Sequence, residues 1–143
     1  MGMKKRNTVL VHAILGAIGG AAYVGIEFLW RGHSHWSMFF LGGACFILIG
    51  LLNEVLPGDT PLAEQMFFGA LLVTAAELLA GLLLNRWMGL GVWDYTSIPC
   101  NLWGQVCLPY AALWFLLSAP AVVLEDYMHH WWFGAEKPAY RLV

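Results

Sequence analysis

Four apolar stretches, each close to 20 residues long and joined by short polar connections, constrain this chain more than any other feature. They cover residues 8–30, 36–56, 62–84 and 102–124. A helix needs about 20 predominantly apolar residues to cross the hydrocarbon core, where every backbone N–H and C=O must be bonded within the chain. The expectation is an all-α, integral membrane bundle of four transmembrane helices in a single domain, 1–143. Composition agrees, since 60% of residues are hydrophobic and only 11% are charged, against about 25% in soluble proteins. The net charge of −2 offers no nucleic-acid surface.

The first stretch follows Lys4, Lys5 and Arg6, as a signal peptide would. It is too long for one and ends in Glu27 and Arg31, so it reads as a retained helix. With an even number of spans both termini share a side, which holds Lys4, Lys5, Arg6, Lys137 and Arg141 against Arg31 and Arg86 opposite. The positive-inside rule puts the termini in the cytoplasm of a plasma membrane, with 125–143 as a short cytoplasmic tail. Within that tail Glu125, Asp126, Tyr127, His129 and His130 read as interfacial, and Trp131, Trp132 and Phe133 as an anchor.

Local signals fill in the connections. Thr60 is suited to cap the third helix, with Pro61 at its first position. The third connection, 85–101, carries Trp87, Trp93 and Tyr95, residue types that suit a membrane–water interface. Pro109 and Pro120 are expected to kink the fourth helix. Cys45, Cys100 and Cys107 read as small buried side chains. If Cys100 and Cys107 share a helix, they lie roughly 10 Å apart, too far to bridge.

Glu77 is the polar residue hardest to explain. It lies deep in the third stretch, where a carboxyl group is costly and marks a functional site by default. Glu27 lies near the outer end of the first helix, Asp94 in the outer connection, and Asn101 and Gln105 at the head of the fourth helix. These polar groups therefore gather in the outer half. Each sits beside small residues: Gly16, Gly20, Tyr23 and Glu27 form one stripe, Ala70, Thr74, Glu77 and Gly81 another, and Asn101, Gly104, Leu108 and Ala111 a third. The alternatives are packing for Thr74 and Gly81, a helix cap for Asn101, and an Arg31 pair for Glu27.

Other chemistries find little support. His33 and His35 beside Glu27 have the ligand types of a zinc site, but H-x-H in a short loop is unspecific and no metal or other cofactor is expected. None of Lys4, Lys5 and Lys137 follows a glycine, so there is no phosphate-binding loop. No serine sits in a nucleophile elbow.

Taken in order, Thr74, Glu77, Gly81, Trp93, Asp94, Tyr95, Thr96, Pro99, Asn101, Gly104, Cys107, Leu108 and Trp114 resemble the CmpB-like family, whose members carry a type IV ABC-transporter label. The glycine-rich first helix ending in Glu27 also fits. The resemblance spans most of the chain from Gly16 to Trp114 and makes Glu27, Thr74, Glu77, Trp93, Asp94, Tyr95, Asn101 and Gly104 the matching positions. It implies a small multi-span membrane component of a transport system, with any ATPase on a separate chain. The bilayer and either a second copy or a partner membrane subunit are its expected partners. An intramembrane enzyme acting on a lipid-like substrate through Glu77 or Asp94, and a scaffold or regulatory subunit, are the competing readings.

Overall fold

The computed structural model describes residues 5–134 and 136–143. Lys4, the first residue of the basic cluster, lies outside them. The chain is helical, with α1 over Lys5–Arg31, α2 over Trp36–Val55, α3 over Leu62–Gly81 and α4 over Leu108–Phe133. A π-helical turn, Leu82–Trp87, extends α3, and two two-residue strands, β1 (Asn101–Leu102) and β2 (Val106–Cys107), precede α4. Three helical segments are long and apolar enough to cross a membrane: Val9–Arg31, Leu62–Trp87 and Leu108–Trp132. The apolar part of α2, Trp36–Leu52, is shorter.

Residues fall into two compact units, 1–48 and 49–143. In the first, α1 meets the start of α2 through glycines. A Cβ on Gly43 would lie 2.6 Å from the Gly16 carbonyl oxygen, and one on Gly16 would lie 2.9 Å from Ile47 Cδ1. The Gly16-x-x-x-Gly20 spacing thus permits backbone-to-backbone contact, the packing that membranes favour where burial of apolar surface drives nothing. Gly32, at a φ of +75°, ends α1, and its N–H returns to the Phe28 carbonyl. The His35 side chain then starts α2, its Nδ1 2.7 Å from Ser37 Oγ.

The second unit is built on the antiparallel pair α3 and α4. Gln65, Gly69, Val73, Glu77 and Gly81 are all buried, four residues apart, as a ridge on α3. Gly69 admits Ser118 of α4, whose hydroxyl would lie 2.7 Å from an added Cβ. Ser118 Oγ in turn donates to the Trp114 carbonyl one turn back.

The start of α3 departs from expectation. Pro61, not Thr60, occupies the cap position, and no side chain caps the helix. The Thr60 hydroxyl is spent on the Pro57 carbonyl at 2.6 Å, closing the preceding turn. The chain after α4 supplies the acceptors instead: Leu62 N–H donates to the Arg141 carbonyl (2.7 Å) and Ala63 N–H to that of Leu142 (3.0 Å). Tyr140 secures this tail through a 2.7 Å bond to Asp126. Burial and that carboxylate together raise the Tyr140 pKa, so it remains a donor.

The fourth helix also differs. It begins at Leu108 and runs on to Phe133, later at both ends than the 102–124 stretch. Pro109 lies in its first turn, where a missing N–H costs nothing, so only Pro120 is internal. Asn101 and Gly104 are not on the helix at all. Trp103 at φ +54° and Gly104 at φ +71° break any helical path and form the turn of a hairpin pairing Asn101 with Cys107 and Leu102 with Val106.

Candidate functional site

Glu77 is among the most buried side chains of the described residues, only 1% exposed. It projects from the α3 ridge towards α4, where Trp114 Nε1 donates to its Oε2 at 3.0 Å. An indole N–H can only donate, so this bond suits a carboxylate oxygen. One turn earlier on α3, the Thr74 hydroxyl oxygen is buried with no hydrogen-bond partner. An orphaned oxygen one turn from a buried acid is an open position for a donor such as water or a cationic group.

Next to Glu77 the helix is roofed by the segment that follows it. An added Cβ at Gly81 would lie 2.6 Å from Gln105 Oε1 and 3.0 Å from Trp93 Cζ2, so only glycine lets the roof come down. Trp93 is 4% exposed and gives its Nε1 proton to the Gln105 carbonyl at 2.9 Å. It is therefore a core residue, not an interfacial ring as its residue type suggested. Gln105 is fully engaged: Oε1 accepts from Asn85 Nδ2 and Nε2 donates to the Trp103 carbonyl, both at 2.9 Å. Asn85 Oδ1 accepts from Val92 N–H at 2.7 Å. This carbonyl is available because the helix changes to π geometry at Leu82–Trp87 and aims Asn85 at the returning chain.

The remaining predicted residues build the hairpin. Asn101 Oδ1 accepts from Gly104 N–H (3.0 Å), and its amide donates to the Ile98 carbonyl (2.9 Å), so it ties the turn instead of capping α4. Gly104 is required twice over, by its φ and because a Cβ would lie 2.6 Å from Thr96 Cγ2. Tyr95 stacks on Tyr110 of α4, with centroids 4.8 Å apart. Asp94 turns outward to accept from Thr96 N–H at 2.9 Å, and its bonds to Thr96 hold its carboxyl below the usual aspartate value. The structure thus divides the second-unit candidates into a core pair, Thr74 and Glu77, and a roof containing Trp93, Tyr95, Asn101 and Gly104, with Asp94 at its edge.

Glu27 belongs to the first unit, where Arg31 Nη2 lies 2.6 Å from its Oε2, one turn along α1. Among the described residues no three His, Cys, Asp or Glu side chains come together as metal ligands, and the His35 ring is engaged with Ser37. Cys100 is exposed, contrary to expectation, and lies in the left-handed region at φ +57°. It does not share a helix with Cys107.

Residue type and spacing missed a second buried acid. Glu125, expected at an aqueous interface, is 4% exposed on α4. His129 Nδ1 lies 2.9 Å from its Oε1, and Gly50 of α2 leaves the space that its carboxyl group occupies. The available signal was the i,i+4 spacing of Glu125 and His129.

One family's sequence model, described as "Putative ABC-transporter type IV", matches residues 10–138. The match takes in both units and every residue of the Glu77 site. No curated protein and no solved structure matches the chain.

Proposed function

The chain belongs to the family described as "Putative ABC-transporter type IV", and on that basis we propose that it is a membrane component of a transport system with an acidic intramembrane site at Glu77. Membrane embedding follows from the family and the apolar helices. The observation that carries the site is a carboxyl group buried to 1% exposure within a membrane-crossing segment, beside the unpartnered Thr74 oxygen. A carboxyl group at such depth is retained for binding or conduction, and its natural ligand is a proton or a cationic group. Trp114 orients it, and the Trp93–Gln105 roof excludes water from one side.

The rest of the arrangement follows from sequence. In this proposal α2 also crosses the plasma membrane, the four helices form one domain with both termini cytoplasmic, and Glu77 lies in the outer half. With no phosphate-binding loop in the chain, a separate subunit hydrolyses ATP. Four helices enclose little space, so a second copy or another membrane subunit completes the path.

Infrared difference spectra of the reconstituted protein across pH, with and without sodium or potassium, test the site. Wild type should show protonated-carboxyl absorption that responds to pH or cation, and Glu77→Gln should lose the Glu77 part of it, keeping any from the buried Glu125, while remaining folded. Glutamine can still accept the Trp114 bond, so folding is preserved. An unchanged band in the variant overturns the assignment.

A further inference from the structure

The segment between α3 and α4 is chemically odd for a loop between two membrane crossings. From Trp87 to Leu108 it contains one charged residue, Asp94, whose carboxylate is turned back on Thr96. Its ends are the last residue of one apolar span and the first of the next, Leu62–Trp87 and Leu108–Trp132. Both ends are therefore fixed at one face of the bilayer. The segment between them is folded back on the end of α3, where Trp93 and Gln105 pack on Gly81.

Its amide side chains and its largest apolar ones are sorted. Asn85, Gln105 and the Trp93 indole bond inward to one another and to backbone. Internal satisfaction of this kind is what a non-helical segment needs where water is scarce. Large apolar side chains are left outward: Trp87 is 80% exposed, Trp103 57%, and Met88, Leu90 and Leu102 are each about half exposed. Trp103 is the most telling. It holds a left-handed φ of +54°, a conformation that is unfavourable for an L residue. Asn101, through Gly104 N–H, and Gln105, through the Trp103 carbonyl, lock that geometry and present the indole outward.

We propose that the hairpin tip and the turn leaving α3 form a lipid-binding surface seated in the bilayer interface, with Trp87, Met88, Leu90, Leu102 and Trp103 as its contacts. The occupant is lipid because the surface continues directly from two membrane-crossing helices. Its composition also matches the headgroup boundary, where an indole buries its ring and hydrates its N–H. The turn at the other end of α3 shows the contrast, with exposed Glu54, Asp59 and Glu64 around it. This inference is independent of what Glu77 binds.

The test uses the full chain in nanodiscs of phosphatidylethanolamine and phosphatidylglycerol, with the photocrosslinker p-benzoylphenylalanine replacing Trp103 or, as a control, the exposed Ser97 of the same segment. Irradiation should give lipid adducts at position 103 at least severalfold above those at 97. Adducts to a second copy of the chain, equal yields at both positions, or no lipid adduct at 103 would each overturn the proposal. A second measurement leaves the backbone conformation to a milder change: brominated lipids should quench wild-type tryptophan fluorescence more than that of Trp103→Phe. Equal quenching sinks the idea even if the crosslinking variant fails to fold.

Discussion

The two ends of α3 are finished in different ways. At its start, a proline-bounded turn leaves the first N–H groups without a side-chain cap, and carbonyls from about 80 residues later in the chain, at Arg141 and Leu142, take them. At its far end the helix loosens into a π turn, and the next 20 or so residues fold back as a hairpin whose own amides satisfy it. The first end is ringed by exposed carboxylates and the second by exposed tryptophans. An end bathed in water can leave some groups to solvent and borrow the rest from a distant segment. An end within lipid needs its polar partners close at hand.

The comparison breaks most visibly at the glycines. Gly81→Leu should destabilise the protein by about 1–3 kcal/mol or more, since even a Cβ there strikes Gln105 and Trp93. Gly58→Ala, at the other end and with nothing within 4 Å, should stay within about 0.5 kcal/mol. Melting curves in detergent decide this, and similar losses for the two would refute the tight-roof account. A smaller effect is expected from deleting residues 140–143. The loss of four hydrogen bonds there, one of them exposed, should cost about 1–3 kcal/mol, and hydrogen exchange should quicken at the Leu62 and Ala63 amides but not at Trp93 or Gln105. Protection unchanged at Leu62 would show that the tail is not its acceptor.

The smallest effect belongs to Asp94. Its folded-state pKa is depressed by Thr96, so the bond's contribution is complete above the ordinary aspartate value of 3.8 and is lost as pH falls through the folded-state value. Thr96 amide exchange, corrected for intrinsic rates, should therefore rise only in acid. Asp94→Ala should abolish that rise. A transition near neutral pH in the wild type would contradict it.

Helix content and membrane class were legible because bilayer thickness prescribes run length, which any sequence displays. The hairpin was hidden by the same logic. Leu102, Val106, Cys107 and Leu108 read as the head of an apolar helix, while the turn signal was the pair Asn101 and Gly104, three apart. Glu77's burial followed from its depth alone. Its partner Trp114 lies 37 residues away, and no periodicity links them. The tail's role at Leu62 was invisible for the same reason: Thr60 offered a local cap, and a more distant backbone won.

The Trp114 bond carries one more consequence. Because the indole has a proton to give and no lone pair to receive one, Glu77 Oε2 remains an acceptor whether the carboxyl group is charged or neutral. The bond therefore does not depend on the charge of the acid, and Trp114 can hold the side chain in one orientation in either state.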